Sequence, residues 1–110
     1  MAFHISDEQV QSAFDVLHSN EHAKARAAYE YSEKRLKAVL ANLVSQSSGK
    51  TVSEREGEAL RSDEYTETLK TFHGVCRVYY EARDRREAAM AVIEAYRTQR
   101  SDMRAMGRVG

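Results

Sequence analysis

Apolar positions along this chain recur at steps of three and four, the period of an α-helix and not of a strand. The first start signal lies at Ser6: Ser6 and Gln9 fit a capping box, and Ile5 can pack on Val10 as a hydrophobic staple. Val10, Phe14 and Leu17 then share a face, which predicts a short helix over about 7–18. The pattern falters at His18-Ser19-Asn20, where Ser19 or Asn20 is placed to cap a new helix. Beyond it, Tyr29, Ser32, Leu36, Val39 and Leu43 form a seam that Leu40 and Val44 widen. They predict a helix over about 21–46, roughly 39 Å long. Ser47-Ser48-Gly49-Lys50 opens the clearest turn, over 47–52.

Two capping boxes compete after that turn, Ser53 with Glu56 and Thr51 with Glu54, ahead of a short helix over about 54–61. Ser62-Asp63-Glu64 then starts a long helix over about 63–106, roughly 66 Å in length. Its first seam is Tyr65, Leu69, Phe72, Cys76 and Tyr79, which meets Arg83 and Arg86 before resuming at Met90 and Ile93. A neighbouring seam takes over through the gap: Val75, Val78, Ala82, Ala89, Val92 and Tyr96. Two adjacent seams on one helix imply two neighbours. The expected fold is all-α, a single domain over 1–110. It is an elongated antiparallel helical hairpin with one long C-terminal helix and a short N-terminal helix folded back on it. The long helix outreaches its hairpin partner, so either the 7–18 helix or a second subunit must cover the overhang. Tyr65, Leu69, Phe72, Tyr79, Met90 and Ile93 are the candidate self-association seam.

Composition sharpens this picture. Pro and Trp are absent, and Ala, the best helix former, occurs 15 times among 110 residues. Small side chains let helices approach closely but bury little area each. At roughly 25 cal/mol per Å2 such a core is marginal for an isolated monomer, and a homo-oligomer is expected. The single Cys76 excludes an internal disulfide framework and a multi-cysteine zinc site. MAFHISDEQV reaches acidic residues by position 7 and does not read as a signal peptide, and there is no 18-residue apolar run. The expectation is a cytoplasmic protein with no membrane partner.

Candidate chemistry is sparse. His18 and His22 are four apart, but two imidazoles across a helix break do not make a zinc site without further ligands. His73 and Cys76 are spaced for a base and a thiol, although Cys76 sits on an apolar seam, as a small hydrophobe does. Ser48-Gly49-Lys50-Thr51 is similar to the end of a phosphate-binding loop but lacks the earlier Gly and a preceding strand. No enzyme, cofactor or small-molecule substrate is expected.

Charge is more informative. Lys+Arg and Asp+Glu number 17 each, yet residues 1–65 carry a net −3 and residues 66–110 a net +3. Arg86, Arg97, Arg100, Arg104 and Arg108 fall on one side of a continuous helix, a candidate contact for nucleic-acid phosphate or an acidic partner. Cations at a helix C-terminus, or pairing between the basic and acidic halves of two subunits, would give the same bias. Glu54, Glu56, Glu58, Asp63 and Glu64 form an acidic cluster that could mimic phosphates towards a protein partner.

The strings AAYEYSEKRLKAVLANL, SEREGEALRSDEY and AVIEAYRTQRSDMRAMGRV resemble a set of small helical proteins of tailed phages and prophages, often encoded near single-strand annealing and single-strand binding genes. The resemblance covers roughly residues 20–109, contains no catalytic motif and carries over no binding residues. It implies a viral protein of the host cytoplasm that acts by binding in DNA recombination or replication, on single-stranded DNA or a protein partner. Two other readings stay open: an inhibitor of a host defence nuclease, and a structural or scaffold component of the virion.

Overall fold

The computed structural model describes residues 4–109, with side chains described over 4–107. Four α-helices follow one another: α1 (Asp7–His18), α2 (Glu21–Gln46), α3 (Val52–Arg61) and α4 (Asp63–Val109). There is no strand among the described residues. Where the sequence suggested one domain over 1–110, the chain divides into two compact units. One is Met1–His22 with Glu81–Gly110, the other Ala23–Tyr80, and α4 runs through both.

Local chemistry fixes the helix ends. Ser6 accepts a hydrogen bond from the Gln9 N–H at 3.1 Å, and Gln9 Oε1 accepts one from the Ser6 N–H at 2.8 Å, completing the capping box of α1. Ser19 is extended and closes α1, its N–H donating to Asp15 and Val16 carbonyls, while its hydroxyl accepts from the Glu21 N–H at 3.3 Å. Of the two competing boxes after the turn, Thr51 caps α3: its hydroxyl accepts from the Glu54 N–H at 3.1 Å. Glu54 Oε2 also accepts from the Lys50 N–H at 2.8 Å, a second satisfied donor that moves the helix start two residues ahead of the expected 54. Gly49 belongs in this turn because a Cβ there would lie only 3.0 Å from the Arg55 nitrogen. Ser62, extended again, separates α3 from α4, and its hydroxyl accepts from the Tyr65 N–H at 3.1 Å.

In the unit of Ala23–Tyr80, α2 and the first part of α4 run antiparallel. Ala25 and Ala28 lie beside Gly74, Val75 and Val78, whereas Ser32 and Arg35 lie beside Glu67, Thr68 and Phe72. Tyr29 is the hub: its ring stacks on Tyr79 at 4.9 Å between centroids and meets Phe72 at 5.7 Å and Tyr80 at 6.3 Å. Ala59, at 3 % exposure the most buried of the described residues, anchors α3.

In the other unit, α1 lies antiparallel on the last part of α4. Gln99 grips Ile5 at one end, accepting from its N–H at 2.7 Å and donating to its carbonyl at 2.9 Å. Tyr96 donates its hydroxyl proton to Asp7 at 3.1 Å. Ala13, Ala89 and Ile93 form the buried centre, flanked by Val16, Leu17 and Val92. At the far end Arg85 meets Glu21 at 3.4 Å. The seam switch near Ala82 therefore has a physical cause. Before it α4 faces α2, and after it α4 faces α1, which takes the place the sequence left open to a second subunit.

Candidate functional site

The last part of α4 presents the arginines. At 100° per residue, Arg86, Arg97, Arg100 and Arg104 fall within about 60° of one another, because offsets of 11, 14 and 18 residues come close to whole turns. The helix is unbroken through all of them, and all four are exposed. No Asp or Glu lies in that sector between 82 and 104. Glu94 lies about 60° outside it and reaches across to meet Arg97 at 3.7 Å, both side chains more than two-thirds exposed. Such a pair is worth about 0–1 kcal/mol and gives way to a stronger anion. Arg108 belongs to the same set by spacing, but its side chain lies outside the described residues.

Tyr96 is the residue that spacing did not single out for this site. Asp7 of α1 holds its hydroxyl, and the Arg100 guanidinium lies 6.0 Å from its ring centroid, at the outer range of a cation–π contact. An aromatic ring fixed from outside the helix thus steadies one arginine of the stripe. The signal was present as Tyr96 four residues before Arg100, a pair that shares a helix face.

The acidic cluster is not one surface. Glu54 and Glu58 share a face of α3, while Glu56, two residues from each, points from another side of the same helix. Glu54 is engaged in capping and Glu58 accepts a hydrogen bond from the Ser47 hydroxyl. Asp63 and Glu64 occupy the first turn of α4, where negative charge favours the helix start. Local structure accounts for four of the five carboxylates.

The self-association seam is largely filled from within the chain. Tyr65, Leu69, Phe72 and Tyr79 are half-buried, with Phe72 and Tyr79 against Tyr29 of α2, and Ile93 is 7 % exposed beside Ala13 of α1. Met90 alone of the six stands out, at 52 % exposure. The physical reason is that α1 and α2 between them cover both stretches of the seam.

The remaining candidates are quickly placed. Cys76 is half-buried, and burial, then the Glu33 carboxylate, push its thiol up from the ordinary value, the direction opposite to nucleophile activation. His73 is exposed. His18 ends α1 with its Nδ1 2.8 Å from the Phe14 carbonyl, and His22 lies in the next helix. Among the described residues there is no cluster of three His, Cys, Asp or Glu side chains fit for a metal. Among them, too, no helix is long and apolar enough to cross a membrane.

The perturbed tyrosine is Tyr29, whose phenol is pushed up from 10 to about 12. Negative charge on the neighbouring Tyr80 oxygen contributes most, followed by desolvation and the hydrogen bond with Glu33. The ring cluster keeps the phenol neutral and makes it a packing hub rather than an acid or base. No protein family, curated protein or solved structure matches this chain.

Proposed function

We propose that this is a non-enzymatic binding protein whose α4 contacts the phosphates of single-stranded DNA, an accessory of phage-type DNA recombination or replication. The observation that carries the reading is the four exposed side chains of Arg86, Arg97, Arg100 and Arg104 beside the buried Ile93 on one unbroken helix, with only the exposed Glu94 contact to displace at Arg97. Guanidinium groups pair bidentately with phosphate oxygens, and a rigid helix presents them at fixed spacing without an ordering cost at each contact. Arg100 lies 6.0 Å from the Tyr96 ring centroid, which adds a restraint on that guanidinium. The phage setting rests on the resemblance of residues 20–109.

Arg97→Glu with Arg100→Glu is the direct test, read by fluorescence anisotropy of a labelled single-stranded oligonucleotide at low salt. Loss of binding with unchanged helical circular dichroism is the expected result. Binding equal to the unaltered protein would remove the stripe as the contact surface. The nuclease-inhibitor reading, which relies on the acidic cluster as a phosphate mimic, is weaker because capping and local hydrogen bonds engage that cluster.

A further inference from the structure

A groove of about 510 Å3 runs between α1 and the last part of α4, with Ala13 and Val16 on one wall and Arg85, Ala88, Ala89 and Val92 on the other. Along α4 the exposed edge of this groove continues as a second seam: Arg85, Ala88, Val92, Ala95, Gln99, Asp102 and Met106. These residues step by 3 and 4 in alternation, as the a and d positions of a coiled coil do. Ala88, Ala95 and Met106 are exposed although α1 packs close by. Among the described residues, Val92 and Gln99 are half-buried at the α1 side of this seam, and Ala88, Ala95, Asp102 and Met106 are left exposed.

We propose that a second copy of this chain covers it, with the two α4 helices antiparallel about a two-fold axis between Val92 and Ala95. In an antiparallel pair each a position meets a d position of the partner, so the register follows from the sequence. Val92 faces Ala95 of the second copy, Ala88 faces its Gln99, and Arg85 faces its Asp102. By the symmetry of an isologous contact each of these pairs occurs twice. A large residue meets a small one at the centre, and opposite charges close both ends. Gln99 already exchanges two hydrogen bonds with Ile5, which leaves one amide hydrogen to be met at the interface edge. The surface arithmetic agrees. The chain exposes 8550 Å2, whereas a folded monomer of 12.5 kDa exposes roughly 6,200 Å2. That excess amply holds the ~800 Å2 per partner of a standard interface.

This inference stands apart from the DNA reading. The seam and the arginine stripe lie about 150° apart around α4, so pairing leaves both stripes outward.

Sedimentation equilibrium of the full chain across the micromolar range should give twice the 12.5 kDa chain mass. Ala95→Glu, at an exposed helical position that tolerates Glu, sets two carboxylates near the axis and should weaken the dimer roughly tenfold or more. Its circular dichroism should be unchanged. Asp102→Arg should also weaken it, and adding Arg85→Asp should restore it; the exposed contact of Arg85 with Glu21 is a minor loss. A monomer throughout the range, or a dimer indifferent to Ala95→Glu, overturns the proposal. Dissociation by Asp102→Arg without rescue by Arg85→Asp overturns the antiparallel register.

Discussion

The two units hold α4 by different means. Against α2 it is held by aromatic area: Tyr29, Phe72, Tyr79 and Tyr80 form one connected set of rings. In the other unit it is held by small residues, Ala13 of α1 and Ala89 around Ile93, with polar ties to Ile5 before α1, to Asp7 of α1 and to Glu21 at the start of α2. Alanine buries little, so that unit depends on Ile93 with a few aliphatic neighbours, Val16, Leu17 and Val92, and on specific hydrogen bonds, whereas the other unit relies on stacked rings. The small-residue side also leaves room beside it, and both the groove and the arginine sector flank that contact. Economy of packing is what leaves that surface open.

The sharpest way to break this contrast is Ile93→Ala. It should cost about 2–3 kcal/mol, the low end for a core isoleucine because its neighbours are themselves small. Urea unfolding would measure the loss, and hydrogen exchange should show α1 amides deprotected before those of α2. Equal deprotection of both would mean the two modes of packing are not separate. Phe72→Ala, by contrast, should cost about 1–2 kcal/mol, since the residue is half-buried and Tyr29 keeps its stack on Tyr79. A larger loss than for Ile93→Ala would reverse the comparison.

The ring cluster also has an alkaline signature. The Tyr29 phenol, at about 12 when folded against 10 when free, binds its proton more tightly in the folded chain. Its contribution to stability is therefore complete below pH 10 and disappears as pH rises from 10 through 12. Ultraviolet titration of the protein, less that of Tyr29→Phe, should place this phenol near 12, and a midpoint near 10 would contradict the cluster geometry. The smallest effect expected is a gain: a Cβ at Gly74 meets nothing within 4 Å, so Gly74→Ala should stabilise by about half a kcal/mol or somewhat more. Thermal denaturation would read it, and a loss would show that the space beside Ala25 and Ala28 is needed.

Helix type and the seam switch were legible because they rest on local chemistry: Ser6, Ser19 and Ser62 cap as their positions suggest, and Arg83 and Arg86 interrupt the first seam visibly. The residue that caps α3 was not, since Thr51 and Ser53 compete and only the reach of Glu54 to the Lys50 N–H separates them. Val78 fits the second seam by spacing yet is 50 % exposed, because Ala25 and Ala28 opposite it are too short to cover it. For the site, the arginine sector follows from periodicity alone. The Tyr96 anchor does not, because it depends on Asp7 arriving from another helix. The dispersal of Glu56 from Glu54 and Glu58 needed only the helical period, which a charge count along the sequence ignores.

The salt dependence of oligonucleotide binding tests the central claim most directly. Contacts from four arginines to single-stranded phosphates predict a slope of log K against log salt of roughly −3, at about 0.7 per phosphate. Arg97→Glu with Arg100→Glu should flatten that slope by about half or abolish binding. No binding at low salt, or a slope near zero, would contradict the arginine stripe as a phosphate-contacting surface.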